Sequence, residues 1–514
     1  MENSKIYNSY KITGFPKSIF IYIIIICVAS FFARLIIFPY DLPITLDGKE
    51  YFWYAIDMKI LEEIPTNYRF PNNGWPILLS VFYSGFDSNS FLDYMNFQRF
   101  LTIGISIITI PIIFLLCKKF VSTNYALIAT IIFAFEPRVV LNSVLGITEP
   151  LFVLLISCML LFLFQKKSNY IYAAFAAAAL CALVRYEGLL LIIPLSISFF
   201  IKYRERKQII KFCIAIGIFA LIIIPSASIR MESTGNDGLT SHIYAGVNHY
   251  QNISTRGENG QEKLFNMFEN GLKNLILYSG WISIPILWFF VPVGIFLAIK
   301  NKNANMIMIF TFSFTLLIPI YYAYTRDIQE TRYFLSLLPI FCIFSSLTIK
   351  KIIEKINSKI IVAGILILGI AVSSIIFVDF KKIDVTDEIE LYDVAKIVVN
   401  ISKGTNDISP VVKYYSAAIL EKQEFPSLRE NTESLRPKII KSNSFSTIED
   451  YIKFGKDNGL THLVLDGQTE NSILHDVYRN SDNYPYLTEH FDSSIKENKM
   501  KIFEVNYEIF KEEK

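Results

Sequence analysis

Residues 148–188 read TEPLFVLLISCMLLFLFQKKSNYIYAAFAAAALCALVRYEG, in which two apolar runs flank the basic pair Lys166-Lys167. A helix needs about 20 predominantly apolar residues to cross a bilayer, and each run approaches that length. Lysines and arginines collect in the short cytoplasmic loops of membrane proteins. The stretch therefore predicts two membrane helices joined by an inner loop, and the chain repeats this pattern.

The fold class predicted by this repetition is a polytopic α-helical membrane protein with about eleven transmembrane helices and a small C-terminal α/β soluble domain. The chain is 53% hydrophobic and 18% charged, whereas soluble proteins are about a quarter charged. The fifth and sixth runs are short, so they could form one kinked or re-entrant element, and the count varies by about two. The predicted spans are 18–38, 99–117, 124–141, 149–165, 169–184, 188–201, 209–229, 276–299, 304–324, 333–349 and 357–379.

The basic residues predict the topology of an integral, multi-pass membrane protein. With the N-terminus in the cytoplasm, nearly every compact basic cluster between spans falls on the inner side, as the positive-inside rule requires. The long loop 39–98 and the C-terminal domain are then extracytoplasmic. The inner clusters are Lys118-Lys119, Lys166-Lys167, residues 202–207, Lys300 with Lys302, and Lys350-Lys351 with Lys355.

Three other features of the sequence argue against particular protein classes. The first apolar run follows Lys17, is about 20 residues long and lacks a small-residue cleavage site, so we expect a retained helix and not a signal peptide. The six cysteines all lie inside apolar runs, which argues against a disulfide framework or a zinc–cysteine site. Basic residues form no nucleic-acid-binding pattern, so no nucleic-acid partner is predicted.

The chain after residue 379 has the pattern of a soluble α/β domain, which divides the protein into 1–379 and 380–514. Leu391 to Val398 have helical spacing, and Ser446 to Glu449 form a capping box before a second helix that Gly459 ends. Leu460–Leu465 and Lys501–Val505 are predicted strands. The three histidines of this domain are predicted to be scattered surface or packing residues; they are His462, His475 and His490.

The first outer loop, 39–98, is too long for a simple connection. Asp47 is predicted to lie just before an interfacial helix whose apolar stripe includes Tyr51 and Tyr54. At the positive end of a helix a carboxylate stays ionised and could accept a proton. A purely structural helix cap is the alternative.

Charged residues at the outer ends of the later spans are further candidates, because charges near the membrane are costly. Glu149 is the first residue of the fourth span. It could take part in the function, or it could only interact favourably with the helix dipole. Arg185 and Glu187 could form a structural salt bridge. Arg332 and Arg34 could hold a phosphate through their guanidinium groups or only extend toward the interface.

These residues follow one another in an order that resembles the GT-C superfamily of membrane glycosyltransferases, and most nearly its dolichyl-phosphate-mannose–protein mannosyltransferase-like branch. The likeness covers residues 18–350, and each of its pieces is short. The pieces are Arg34, the loop with Asp47, residues 73–79 (NGWPILL), residues 148–152 (TEPLF), residues 183–189 (LVRYEGL), and Arg332-Tyr333 with Pro339.

The resemblance implies a glycosyltransferase that moves a sugar from a polyprenyl (dolichyl) phosphate donor to a glycan or protein acceptor at the outer face, with inversion. It implies that Asp47 is the general base and that Glu149 is a second catalytic acid. The family often pairs two acids in the first loop, and here Glu50 follows Asp47 by three positions. Arg332, Arg185 and Arg34 are the candidate ligands of the lipid phosphate.

No cofactor is predicted to be required, although a divalent metal stays possible. His242 and His249 lie in the outer loop 230–275 and could join acidic residues around an ion, but they have no metal-ligand spacing.

Two other functions stay open. An oligosaccharyltransferase-like catalytic subunit would carry a Trp-Trp-Asp-type motif in its soluble domain, and the four tryptophans, Trp53, Trp75, Trp281 and Trp288, all precede that domain. A lipid-sugar flippase or transporter would often show two similar halves, and the sequence has no internal repeat.

Overall fold

A computed structural model describes residues 17–65, 68, 73–203, 208–255, 260–301, 303–356, 359–382, 384–421, 437–442, 445–467, 473–492 and 500–512. Residues 204–207 of the predicted inner basic cluster and Lys302 lie outside the described residues. Described contacts divide the chain into two compact units. One holds the chain up to Phe38, Thr66–Trp75 and Arg99–Lys382, and the other holds Pro39–Pro65, Pro76–Gln98 and Ile383–Lys514.

Helices make up almost all of the chain before Ile383, because long apolar runs satisfy their backbone hydrogen bonds internally only as helices. They are α1 Lys17–Ile36, α2 Leu46–Leu61, α3 Gly74–Ser84, α4 Phe91–Cys117, α5 Thr123–Phe135, α6 Pro137–Ser143, α7 Glu149–Leu163, α8 Tyr170–Val184, α9 Ile192–Lys202, α10 Gln208–Thr234, α11 Thr240–Thr255, α12 Gly260–Ser283, α13 Leu287–Asn301, α14 Ala304–Thr325, α15 Leu338–Lys355 and α16 Lys359–Lys381, with 3-10 helices at Tyr186–Leu191 and Thr331–Leu337.

The protein is an integral, multi-pass membrane protein, as predicted. Among the described residues six helices are long and apolar enough to cross a membrane, or up to eight if each of two bent pairs is one span. The predicted span 276–299 is not straight, because α12 and α13 meet at an angle of 109°. The fourth and fifth predicted spans are helices of only 15 residues each, α7 and α8.

The helices of the first unit surround an apolar core to which most of them contribute. Aromatic side chains such as Phe114, Phe133 and Phe175 are almost fully buried there. By contrast only 17% of the apolar window of α1, and 17% of that of α10, is buried in the protein. Apolar side chains left on the outside of such helices are the surface that lipid covers.

In the second unit, the first outer loop folds into α2 and the main part of α3. Helix α2 begins at Leu46, so Asp47 is its second residue and does not precede it; Thr45 occupies the N-cap position. From Tyr51 to Met58 every side chain of α2 is buried. The predicted single apolar stripe is therefore wrong, because residues 51–58 are buried on every side of the helix.

The C-terminal part of the second unit is a small α/β fold around a five-stranded sheet of order β2-β1-β3-β5-β4. β1 is parallel to β2 and β3, and β5 is antiparallel to β3 and β4. The elements are α17 Val385–Ile401, β1 Gly404–Asn406, α18 Ser409–Val412, α19 Tyr415–Leu420, β2 Lys438–Ile440, α20 Ile448–Asn458, β3 His462–Asp466, α21 His475–Arg479, a 3-10 helix Ser481–Asn483, β4 Leu487–Asp492, β5 Met500–Val505 and α22 Tyr507–Glu512.

Both predicted strands of this domain are present, as β3 and β5, and the fold class is confirmed. The helix cap is displaced by one residue: Thr447, and not Ser446, is the N-cap of α20, and its hydroxyl accepts a hydrogen bond from the Asp450 amide at 3.2 Å. Gly459 ends this helix as predicted.

Candidate active site

Glu149 is the first residue of α7 and is only 4% exposed. Thr148 precedes it at the N-cap and Pro150 follows it, which is the position in a helix where a missing backbone N–H costs least. The exposed amides of a helix start favour a negative charge. This element therefore holds the Glu149 carboxylate in a nearly buried position.

Arg185 connects this carboxylate to a second one. Its Nη1 lies 2.6 Å from Oε1 of Glu149, and its Nη2 lies 2.8 Å from Oε1 of Glu187. Arg185 ends α8 with an extended backbone, φ −146° and ψ 131°, which turns the following 3-10 helix back. The side chains of Glu149 and Glu187 are only 5% and 6% exposed. Charge-assisted hydrogen bonds of this kind are short and strong.

Gly188 and Gly74 allow two backbone segments to approach the C-terminal end of α8 closely. A Cβ on Gly188 would lie 2.4 Å from the carbonyl carbon of Cys181 in α8, and one on Gly74 would lie 2.7 Å from the carbonyl oxygen of Leu183. Next to Gly74, the indole Nε1 of Trp75 donates to the Gly146 carbonyl at 3.2 Å. Three pieces of the sequence pattern thus converge at the C-terminal end of α8 and the start of α7.

The fourth piece is Arg332, in the first turn of the 3-10 helix Thr331–Leu337. Its Nη1 lies 3.8 Å from Oε1 of Glu149, and its Nε contacts the carboxylate of Glu330. The ring of Tyr333 lies between the two arginines, 5.7 Å from Cζ of Arg185 and 5.8 Å from Cζ of Arg332. Arg332 is 22% exposed against 15% for Arg185, so it is the more accessible of the two.

These charged residues line a pocket with an empty volume of about 360 Å³. Two guanidinium groups and two buried carboxylates face it, and Tyr333 and Phe152 add aromatic surface. A second, mainly apolar pocket of about 280 Å³ lies on the other side of Glu149, between residues such as Phe133 and Leu338. Glu149 therefore lines both a polar and an apolar pocket of the first unit.

Arg34 does not line either pocket. It is fully buried, and its guanidinium donates to the Ser143 hydroxyl at 3.0 Å, the Ser106 hydroxyl at 2.9 Å and the Ser30 carbonyl at 2.9 Å. A guanidinium has five N–H donors, and here most of them already have protein acceptors. This arrangement fits a structural role better than phosphate binding.

Asp47 and Glu50 belong to the second compact unit, whereas the other four predicted site residues belong to the first. Both carboxylates are half-buried in the first turns of α2. The start of this helix is fixed by Gln98, whose side-chain amide donates to the Gly48 carbonyl at 3.0 Å. The roles of Asp47 and Glu50 stay predictions.

Three residues near the cluster were not among the predicted site residues. Tyr333 lies beside both guanidinium groups and Glu330 contacts Arg332, as described above. His242 of α11 stacks on Tyr186, with ring centroids 4.7 Å apart. Burial lowers the pKa of His242, and Glu187 opposes this effect. The sequence marked Tyr333 only as part of the family pattern and His242 only as a possible metal ligand, and closeness in sequence to Arg332 could have drawn attention to Glu330.

The described residues contain one group of three possible metal ligands, and it lies in the C-terminal domain. It consists of His462, His490 and Glu504. Two histidines that we predicted to be scattered are therefore neighbours, because a strand pairing brings together residues that lie far apart in sequence. The possible metal at His242 and His249 stays a prediction.

Comparison with known proteins shows which proteins this chain resembles. A family model described as dolichyl-phosphate-mannose-protein mannosyltransferase matches residues 94–229. The oligosaccharyltransferase of Archaeoglobus fulgidus, in a complex with zinc and sulfate, has a TM-score of 0.55 and 13% identity, covering 94% of this chain and 73% of that chain. ArnT of Cupriavidus metallidurans in the apo state has a TM-score of 0.51 and 9% identity, covering 96% and 99%. No curated protein sequence matches this chain.

A further solved structure, the same archaeal oligosaccharyltransferase AglB with an inhibitory peptide and a dolichol-phosphate, has a TM-score of 0.56 and 12% identity, covering 90% of this chain and 70% of that chain. The solved structures share the fold of this chain, and the family model matches part of its sequence. Together they confirm the predicted resemblance to GT-C membrane glycosyltransferases.

Proposed function

We propose that this GT-C-like chain is a glycosyltransferase that takes a hexose from a polyprenyl-phosphate donor and transfers it, with inversion, to a glycan or protein acceptor on the extracytoplasmic face. The observation that carries the proposal is the pocket at Glu149, in which two arginines meet two nearly buried carboxylates beside an apolar pocket. The family match over residues 94–229 supports the reaction class.

The two pockets suit a donor with a charged head and an apolar tail. A departing lipid phosphate needs positive charge that is already oriented, and a guanidinium binds phosphate oxygens in a bidentate fashion. Arg332 supplies this charge better than Arg185, because its side chain is more exposed, at 22% against 15%, and its contact with Glu149 is longer, at 3.8 Å against 2.6 Å. One solved structure of AglB is a complex with a dolichol-phosphate, which supports this donor class by analogy.

Inverting sugar transfer also requires a base for the proton of the acceptor hydroxyl. We assign this role to Asp47, with Glu50 as the neighbouring acid. Glu149, through its bonds with Arg185 and Arg332, positions the guanidinium groups of the pocket. General base catalysis contributes about 10²–10⁴-fold to the rate.

The direct test is a transfer assay with the purified full-length protein in detergent. Polyprenyl-phosphate hexoses are supplied with candidate acceptors, and released polyprenyl phosphate and sugar-bearing product are both measured. We expect release that depends on the acceptor, and a product whose anomeric configuration by NMR is opposite to that of the donor. Turnover with sugar nucleotides alone would overturn the donor class, and retained configuration would overturn inversion.

A second candidate is an oligosaccharyltransferase-like enzyme, favoured by the structural matches to the Archaeoglobus fulgidus protein. One of the solved structures of that protein carries a tethered acceptor peptide containing an NVT sequon. The same assay separates the two functions when it is run with a lipid-linked oligosaccharide and a peptide containing Asn-Val-Thr. Transfer of the whole oligosaccharide to asparagine would favour this second function.

A further inference from the structure

Three polar side chains meet on one face of the C-terminal sheet, at strands β3, β5 and β4. His462 of β3 lies directly opposite Glu504 of β5 in the strand register. On the other side of β5 the pairing with β4 shifts between Glu489 and Phe491, so that His490 lies at the irregularity. A bulge of this kind redirects a side chain. The two imidazole rings come to lie 5.5 Å apart between their centroids.

The donor atoms of these residues are close enough for shared coordination. One ligand atom from each lies within 4.8 Å of the other two, and Nε2 of His490 is 2.9 Å from Oε2 of Glu504. Donors bound at about 2.0–2.2 Å with tetrahedral angles are about 3.4 Å apart. The required shifts are therefore small, and the side chains of His490 and Glu504 are 42% and 53% exposed and can make them.

His462 is held in place by a contact at one ring nitrogen. It is buried, and its Nδ1 lies 3.0 Å from the hydroxyl of Thr461. The hydroxyl oxygen accepts hydrogen bonds from the Lys403 and Gly404 amides at 3.1 and 3.3 Å, so Thr461 is itself fixed by the backbone at the start of β1. Metal-binding histidines are commonly oriented by such a contact at the other nitrogen.

We propose that His462, His490 and Glu504 form a site for a divalent transition-metal ion such as Zn²⁺. Two imidazoles and one carboxylate form a ligand set that suits zinc, whereas calcium and magnesium prefer oxygen ligands alone. Three protein ligands leave a fourth position for water. Because the ligands come from three neighbouring strands, the ion fastens β4 to β5 and β3 at the edge of the sheet.

The alternative is a simple surface ion pair between His490 and Glu504. Such a pair needs no contribution from His462 and contributes little to stability, because both partners are exposed to solvent. The two interpretations differ in metal affinity and in the number of residues on which it depends, and neither involves the transferase activity.

Cobalt(II) is the probe, because its visible absorption becomes intense and shifts when a site is four-coordinate. The full-length protein in detergent, freed of metal by a chelator, is titrated with Co²⁺ and then with Zn²⁺ as competitor. We expect one equivalent with a four-coordinate spectrum that Zn²⁺ abolishes. His490→Ala and Glu504→Gln, both at exposed positions, should each weaken Co²⁺ binding by more than about tenfold. His475→Gln, in the same domain but outside the group, should bind as the unaltered protein does.

Binding that is unchanged in both His490→Ala and Glu504→Gln would overturn the proposal, even if the protein binds Co²⁺ elsewhere. A spectrum of octahedral Co²⁺ alone would also overturn the proposed geometry. Loss of the four-coordinate Co²⁺ absorption in His462→Asn, with a circular dichroism spectrum like that of the parent, would identify His462 as the third ligand.

Discussion

Arg185 and Arg332 carry the same charge and both lie close to Tyr333, yet their surroundings suit them to different roles. Arg185 forms close ion pairs with two nearly buried carboxylates, whereas Arg332 is 3.8 Å from Glu149 and its other carboxylate partner, Glu330, is 47% exposed. Removing one member of a buried ion pair is costly, because the remaining charge loses its partner. The two arginines therefore allow a matched comparison.

Replacing each arginine by glutamine should separate stability from donor binding. Arg185→Gln leaves Glu149 and Glu187 without their main cation, and we expect a loss of about 3–5 kcal/mol in the free energy of unfolding. Arg332→Gln should cost about 1 kcal/mol or less in stability. It should weaken donor binding by about 10–100-fold, as expected for a lost hydrogen bond to a charged group.

Unfolding in mixed detergent micelles and a binding titration with the lipid donor measure the two effects. Arg332→Lys serves as a further control, since it retains the charge but not the fork, and its affinity should fall between those of the parent and Arg332→Gln. Unchanged donor affinity in Arg332→Gln would remove this residue from the proposed phosphate site.

Asp47→Asn tests the proposed base. Asparagine has nearly the same size but cannot accept the acceptor's proton, so we expect transfer to slow by about 10²-fold or more, with donor binding retained. Asp47 lies in the first turn of α2, where a lost dipole interaction alone costs about 0.3–1 kcal/mol of stability. The rate of transfer at saturating donor concentration measures the chemical role, and Glu50→Gln shows whether the neighbouring acid shares it. Near-normal turnover in a well-folded Asp47→Asn protein would reject the assignment.

At the scale of helices and strands, the apolar runs predicted the positions of the helices along the chain better than their directions in space. All eleven predicted spans coincide largely with helices, yet the eighth bends by 109° between α12 and α13, and the third by 50° between α5 and α6. Hydropathy depends only on how many residues of a segment are apolar, so it gives no information about the direction of a helix in space. One bend had a local signal: Pro137 starts α6 directly after Glu136, whose side chain accepts a hydrogen bond from the Val139 amide.

The contact between the 3-10 helix Tyr186–Leu191 and α8 leads to an element-scale prediction. In Gly188→Ala the new methyl group would lie 2.4 Å from backbone atoms of α8, so the 3-10 helix must move away. Overpacking of this kind costs about 1–3 kcal/mol or more, and the movement should separate Glu187 from Arg185. We expect both a lower unfolding temperature and reduced transfer.

Gly217→Ala is the matched control, because nothing lies within 4 Å of the position of its added Cβ in α10. Its stability should be unchanged or higher by up to about 1 kcal/mol, as helix propensity predicts. Equal stabilities of the two variants would show that the close approach at Gly188 is not required.

For the whole molecule, the sequence predicted which charged residues of the first unit belong together and that Arg185 pairs with Glu187, but not that Arg185 also pairs with Glu149. Glu149, Arg185, Glu187 and Arg332 were selected because charges at the ends of apolar spans are costly. That Arg185 joins two carboxylates depends on the turn after α8, which no periodicity reveals. Likewise His462, His490 and Glu504 meet through strand register and a bulge, and both depend on long-range pairing.

The predicted topology can be tested with single cysteines at exposed positions. Asp457→Cys, in α20 of the C-terminal domain, should react with a membrane-impermeant thiol reagent in intact cells if this domain is extracytoplasmic. Ser122→Cys, in the connection between α4 and α5, should react only after permeabilisation. The unaltered protein, whose cysteines all lie in apolar runs, gives the background. The reverse pattern of labelling would invert the proposed orientation.

The buried position of Arg34 also has a consequence for biosynthesis. Apart from Ser30, its hydrogen-bond partners Ser106, Ala134 and Ser143 follow it by 72, 100 and 109 residues. At about 5–20 residues per second, the ribosome needs about 5–20 s to produce the last of them. During that interval the first helix carries an arginine whose distant partners do not yet exist. Until then the Arg34 guanidinium depends on Ser30, water or lipid headgroups for its hydrogen bonds, and its final contacts form only after α4, α5 and α6 have been synthesised.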